Sequence, residues 1–78
     1  MTESLAKKLL TYHLARLEDK NPDIRLKAIH EIELLGDKDA LDTLHRVYST
    51  DADVDVRRAA QNAGRAIFLK HQEQAAQS

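Results

Sequence analysis

The stretch Asp19-Lys-Asn-Pro-Asp-Ile-Arg25-Leu-Lys-Ala28 returns as Asp51-Ala-Asp-Val-Asp-Val-Arg57-Arg-Ala-Ala60, with Asp, Asp, Arg and Ala repeating 32 residues apart and Ile24 becoming Val56. A period in the range of about 20–50 residues marks one supersecondary unit copied along the chain. Units of this kind bury their apolar faces chiefly against their neighbours. The repeat therefore restricts the architecture to a short stack of equivalent units. It says less about activity.

Composition narrows the partners. With 78 residues the chain is one small domain, a size at which a lone core supplies roughly 3–5 kcal/mol of net stability. Cysteine is absent, so disulfides and thiolate metal sites are excluded as supports. The 12 basic and 13 acidic residues are interspersed and leave a net charge of −1. That balance disfavours nucleic acid and anionic membrane surfaces and favours a protein partner. The N-terminus reads as a native start, and no apolar run reaches signal-peptide or membrane-spanning length. The default expectation is a cytoplasmic protein without membrane contact.

Apolar spacing of three and four throughout, two glycines and no hairpin dipeptide predict an all-α chain. A first helix is expected from about Ser4 to Glu18, with Leu10, Leu14 and Leu17 as its stripe and Leu5, Leu9 and Tyr12 widening it. Asn21-Pro22 opens a second helix, Asn as N-cap and Pro at the first helical position. Its buried face is read as Ile24, Ala28, Ile32 and Leu35, and Gly36 ends it in a left-handed conformation. A third helix, about Asp39 to Ser49, is capped by Asp37 or Asp39 and lined by Leu41, Leu44, Val47 and Tyr48. Leu10 matches Leu41 and Leu17 matches Tyr48 at a spacing of 31, which puts one extra residue in the turn from Ser49 to Asp53. A fourth helix begins near Asp53, buries Val56, Ala60, Ala63 and Ile67, and continues to about Gln72. Gly64 inside it reflects either close approach of a neighbouring helix or simple tolerance. The domain is thus read as residues 1–72, repeat one about 4–36 and repeat two about 37–72, with 73–78 a polar tail.

These residues resemble the HEAT-repeat family, in particular the short HEAT-like repeats of phycobilin lyase subunits. The resemblance rests on an Asp five positions before an aliphatic-Arg pair, seen at Asp19 with Ile24-Arg25 and at Asp51 with Val56-Arg57. Asn-Pro-Asp or Asp-Val-Asp lies between them, and Gly36-Asp37-x-x-Ala40-Leu41 follows the first copy. It implies a fold of two antiparallel helix pairs, an α-α superhelix fragment with outer A and inner B helices. It also implies that Asp19, Arg25, Asp51 and Arg57 form a structural hydrogen-bonded ladder between repeats. An Arg one turn into a helix can reach a carboxylate in the preceding turn, so the physical reading agrees. Two repeats are fewer than the three or more that stacked arrays generally need. A homodimer, or docking onto a larger partner, is the expected remedy.

Catalysis finds no foothold. His30-Glu31 is similar in kind to the His-Glu iron ligands of HEAT-like deoxyhypusine hydroxylases. There, however, the pair directly follows the aliphatic-Arg dipeptide, where this chain has Leu26-Lys27 and Arg58-Ala59, and one pair is too few ligands. His13, His30, His45 and His71 lie on four helices without metal spacing. No nucleophile with a base, and no glycine-rich phosphate loop, is present. Neither a metal nor a cofactor is expected.

The remaining candidate is the B-helix face opposite the buried stripes, where solenoids generally bind. Leu26, His30 and Glu33 of the second helix and Arg58, Asn62 and Arg65 of the fourth are assigned to partner binding. The spacing of Arg58 and Arg65 suits an acidic protein segment better than a phosphate backbone, which recruits more contacts. The expected function is a non-enzymatic adaptor or scaffold for a protein partner. The alternative is an accessory subunit of a bilin lyase or related chromophore-handling complex.

Overall fold

The computed structural model describes residues 4–77. Four α-helices follow one another: α1 (Leu5–Arg16), α2 (Pro22–Leu35), α3 (Leu41–Thr50) and α4 (Val54–Gln77), with a 3₁₀ turn, Lys38–Ala40, leading into α3. No strand occurs among the described residues. The chain is an all-α solenoid fragment of two helical hairpins, α1–α2 and α3–α4.

Local chemistry sets each boundary. Ser4 caps α1, its hydroxyl accepting from the Lys7 amide. Asn21 caps α2 by accepting from the Asp23 amide at 2.9 Å, and Pro22 sits at the first helical position, where no donor is lost. Gly36 stops α2 at φ 65°, a left-handed conformation that costs glycine nothing. Asp37, not Asp39, makes the next cap. Its carboxylate accepts from the Asp39 amide at 2.8 Å and starts the 3₁₀ turn. The extra residue of the second repeat does not lengthen the turn after α3. That helix runs to Thr50 and leaves only 51–53 as connector, so the insertion is absorbed as helix.

α4 also departs from expectation, continuing to Gln77 where a polar tail was expected from 73. Gln, Glu and Ala are good helix formers, and no Gly or Pro intervenes to stop them. Gly64 lies within this helix without close approach. A methyl group built there would meet only the Leu44 Cβ, at 4.0 Å.

The core comprises Leu10 and Leu17 of the first hairpin's opening half, Ala28, Ile29 and Ile32 of α2, Ala40, Leu44 and Val47, and Val56, Ala60, Ala63 and Ile67 of α4. Within each hairpin the helices pack on each other, and α2 against α4 joins the hairpins. Ile24 and Leu35 are only half-buried, whereas Ile29, outside the expected stripe, is 2% exposed. Tyr48 is 40% exposed and so sits outside the core. The shortest dimension of the molecule is 16 Å, under two helix diameters of roughly 10–12 Å. Every helix therefore keeps one side in solvent.

Candidate functional site

The turns that precede α2 and α4 are built alike. Asp19 Oδ1 accepts from the Asn21 amide at 2.8 Å, and Asp51 Oδ1 accepts from the Asp53 amide at 2.9 Å. Arg25 Nη1 donates to the Asp19 and Lys20 carbonyls at 2.7 and 3.1 Å, and Arg57 Nη1 donates to the Asp51 carbonyl at 3.0 Å. The repeats are then joined across 26 residues of sequence: Arg25 Nε donates to Asp51 Oδ2 at 2.8 Å and Nη2 to Oδ1 at 3.0 Å. This two-point guanidinium–carboxylate pairing fixes both distance and orientation. The side chains retain 13% and 9% of their exposure. Burial works to raise the Asp51 carboxyl, but the Arg25 hydrogen bonds, the Asp53 amide and the charges of Arg25 and Arg57 outweigh it and hold the group below the usual carboxylate range.

A second polar tie joins α1 to the turn after α2. Lys7 Nζ donates to both Asp37 and Asp39, the latter at 2.7 Å. The hydrogen bond from Lys7 depresses the Asp37 carboxyl, and the two carboxylates raise the lysine in turn. At the same corner His71 Nε2 donates to the Gly36 carbonyl at 2.7 Å, satisfying the end of α2 from α4. Neither tie was legible in the sequence. Each links groups at least 30 residues apart that no local motif announces.

The residues assigned to partner binding do not meet in one cavity. Leu26 and His30 line a groove of about 380 Å³ with Arg16, Lys27 and Glu31, at the α1–α2 end of the molecule. Arg65 lines a groove of about 240 Å³ at the opposite end, between α3 and α4, with Leu41, His45, Tyr48, Gln61 and Gly64 among its neighbours. Glu33, Arg58 and Asn62 are exposed and border neither. Charge distinguishes α4 more than shape does. Between Asp55 and Glu73 it carries Arg57, Arg58, Arg65 and Lys70 and no carboxylate. Arg58 and Arg65 have no ion-pair partner among the described residues.

None of the four histidines joins a metal-competent group: among the described residues no three His, Cys, Asp or Glu side chains are placed to hold an ion. No described helix is long and apolar enough to cross a membrane.

Comparison with known proteins returns one finding. A family model described as HEAT repeats matches residues 10–77. It describes HEAT repeats in general and does not extend to the phycobilin-lyase type. No curated protein matches the chain, and no solved structure does. With 68 of its 78 residues under that match and two stacked helical hairpins in its fold, the chain belongs to the HEAT-repeat family.

Proposed function

We propose that the chain is a non-enzymatic interaction module that holds an acidic segment of a protein partner along the solvent face of α4. HEAT repeats generally mediate protein–protein interaction, and the family is typically non-enzymatic. The observation that carries the reading is the run of four cations without a carboxylate between Asp55 and Glu73, in a chain whose net charge is −1. Arg58 and Arg65 stand seven residues apart, two turns along one face, with Asn62 between them as a neutral donor and acceptor. Their guanidinium groups suit carboxylates, which they can engage at two points. Leu26, His30 and Glu33 on α2 are assigned a flanking role in the same contact.

The reading is tested by affinity capture from the native cell, comparing wild type with Arg58→Glu/Arg65→Glu. Loss of a specifically captured protein, with binding that weakens as salt rises, supports it. Undiminished capture by the double variant refutes the α4 face as the site.

A further inference from the structure

We infer that the chain associates with itself head to tail, the α3–α4 end of one copy receiving the α1–α2 end of the next. Positions that are equivalent in the two repeats differ in exposure. Ile29 is buried, whereas its copy Gln61, 32 residues on, is exposed. Leu17 is 4% exposed, and its counterpart Tyr48, 31 residues on, is 40% exposed. On the other side the order reverses: Glu31 and Lys27 are exposed, while their copies Ala63 and Ala59 are buried and half-buried. Equivalent positions lie on corresponding helices of the two hairpins. The pattern fits a neighbouring hairpin that covers one side of repeat one and the opposite side of repeat two, as the packing of α2 on α4 provides. Each open end of the molecule is thus one half of a contact that the chain already makes once inside itself.

The polar ladder is open at the same two ends. Arg25 uses Nη1 on its own turn and spends Nε and Nη2 on Asp51 of the next repeat. Arg57 repeats the first of these contacts, through Nη1 to the Asp51 carbonyl, and its charge reaches Asp51, but it forms no ion pair among the described residues. Asp19, the copy of Asp51, accepts only from the Asn21 amide and pairs with no cation among the described residues. An unmatched arginine at one end and an unmatched aspartate at the other repeat the internal Arg25–Asp51 pair when a second copy is stacked in register.

Side-chain size is exchanged in the same sense. Inside the chain, Ile32 of α2 and Ala63 of α4 are both fully buried. Between copies the corresponding residues are Gly64 and Glu31, the hollow now on the first partner and the larger side chain on the second. Gly64 floors the 240 Å³ groove, and Arg65 stands at its edge without a carboxylate partner, which gives Glu31 both room and a counter-charge. Arg16 and Lys27 share the Glu31 face, and His45 shares that of Arg65. The contact therefore depends on two specific ion pairs, Arg57 with Asp19 and Arg65 with Glu31, and not on net charge. Such a pairing uses different surfaces on the two partners, so it does not close into a dimer, and propagating the internal repeat-to-repeat step extends it as an open superhelix. Arg65, Leu26 and His30 also serve the proposed partner contact, whereas Arg58 and Asn62 border neither end; self-association is read on the chain alone, so the two readings are tested separately.

The test uses two variants of the full chain, each with one end blocked. Gly64→Leu fills the α3–α4 groove, and Glu31→Arg sets a third cation on the α1–α2 face; Arg57→Ala serves as a second α3–α4 block if Gly64→Leu does not fold by circular dichroism. Mass is followed by light scattering and sedimentation up to millimolar concentration. The wild-type mass is expected to rise with concentration past the dimer without a plateau. Each single variant is expected to remain monomeric, and an equimolar mixture of the two to give a one-to-one pair and nothing larger, because one intact end of each kind survives. A wild type that stays monomeric, a plateau at the dimer, or a mixture that behaves as the sum of its parts overturns the inference.

Discussion

Asp19 and Asp51 are copies, yet their removal should cost very different amounts. In Asp51→Ala, Arg25 loses two charged hydrogen bonds, at 2.8 and 3.0 Å, and the Asp53 amide loses its 2.9 Å acceptor. Hydrogen bonds to charged groups contribute about 1.5–3 kcal/mol and a capping acceptor about 1 kcal/mol. Arg25, already mostly withdrawn from water, keeps only its Nη1 contacts to the Asp19 and Lys20 carbonyls. Because the two bonds to Asp51 form one bidentate pair and do not add in full, the expected loss is about 3 kcal/mol, which in a domain of this size lowers Tm by roughly 12–24 °C. Asp19→Ala forfeits only the acceptor for the Asn21 amide, because Arg25 holds the Asp19 carbonyl, which survives the substitution. Its cost is about 0.5–1 kcal/mol. Urea and thermal unfolding by far-UV circular dichroism, on samples dilute enough to be monomeric, measure both. The acid limb adds a control. A carboxyl depressed in the folded state contributes stability above its unfolded pKa of about 3.9, and that contribution is lost as pH falls through the lower folded value. Asp51→Asn, which can keep the cap but not the charge, should therefore lose stability less steeply below pH of about 4 than wild type. Equal costs for Asp19→Ala and Asp51→Ala would refute the claim that one carboxylate joins the repeats while the other stands at an open end.

Four further substitutions probe the packing. Gly64→Ala should stabilise the monomer by about 1 kcal/mol, since the new methyl finds 4.0 Å of clearance and the helix loses a glycine; a lower Tm would show that α3 and α4 approach more closely there. Gly36→Ala should cost about 1–2 kcal/mol, because φ 65° opposes a side chain and the Cβ would crowd Lys70; denaturant midpoints report it. Ile29→Ala should cost about 2–5 kcal/mol and Gln61→Ala under about 0.5 kcal/mol, although the positions are equivalent. Similar losses at the two sites would mean that the second hairpin does not cover the first.

The parts of the fold legible in the sequence are those decided within a few residues. Asn21-Pro22 opens α2 and Gly36 closes it because capping and the left-handed stop depend on local backbone geometry alone. The stripe Val56, Ala60, Ala63 and Ile67 follows from helical periodicity, and all four are buried. Legibility fails where a distant element decides. Ile29 lies off the stripe that periodicity selects in α2 and is nevertheless 2% exposed. α4 ends at Gln77 and not near Gln72 because Gln, Glu and Ala favour helix as long as nothing stops them, whereas polarity alone suggests fraying. The Lys7 tie to Asp37 and Asp39 spans 30 or more residues of sequence with no motif to mark it.

The candidate binding residues show the same division between azimuth and neighbourhood. A helical wheel places Leu26, His30, Glu33, Arg58, Asn62 and Arg65 away from the buried stripes, and all but half-buried Leu26 are exposed. A wheel fixes direction around one axis and carries no information about which flank of that direction another hairpin will cover. Leu26 and His30 thus fall toward one end groove and Arg65 toward the other, while Arg58 and Asn62 stay between. In a two-unit repeat the missing information is recoverable from the copies themselves. Wherever equivalent residues differ in polarity, as Ile29 and Gln61 or Ala63 and Glu31 do, the sequence is compensating for a neighbour that one copy has and the other lacks. Full compensation would leave both ends polar. Leu9 and Tyr12 at one end and Tyr48 at the other remain 40–59% exposed, so the ends are only partly converted to solvent faces. Partial conversion fits ends that meet a partner weakly and reversibly better than ends that are either permanently buried or permanently wet.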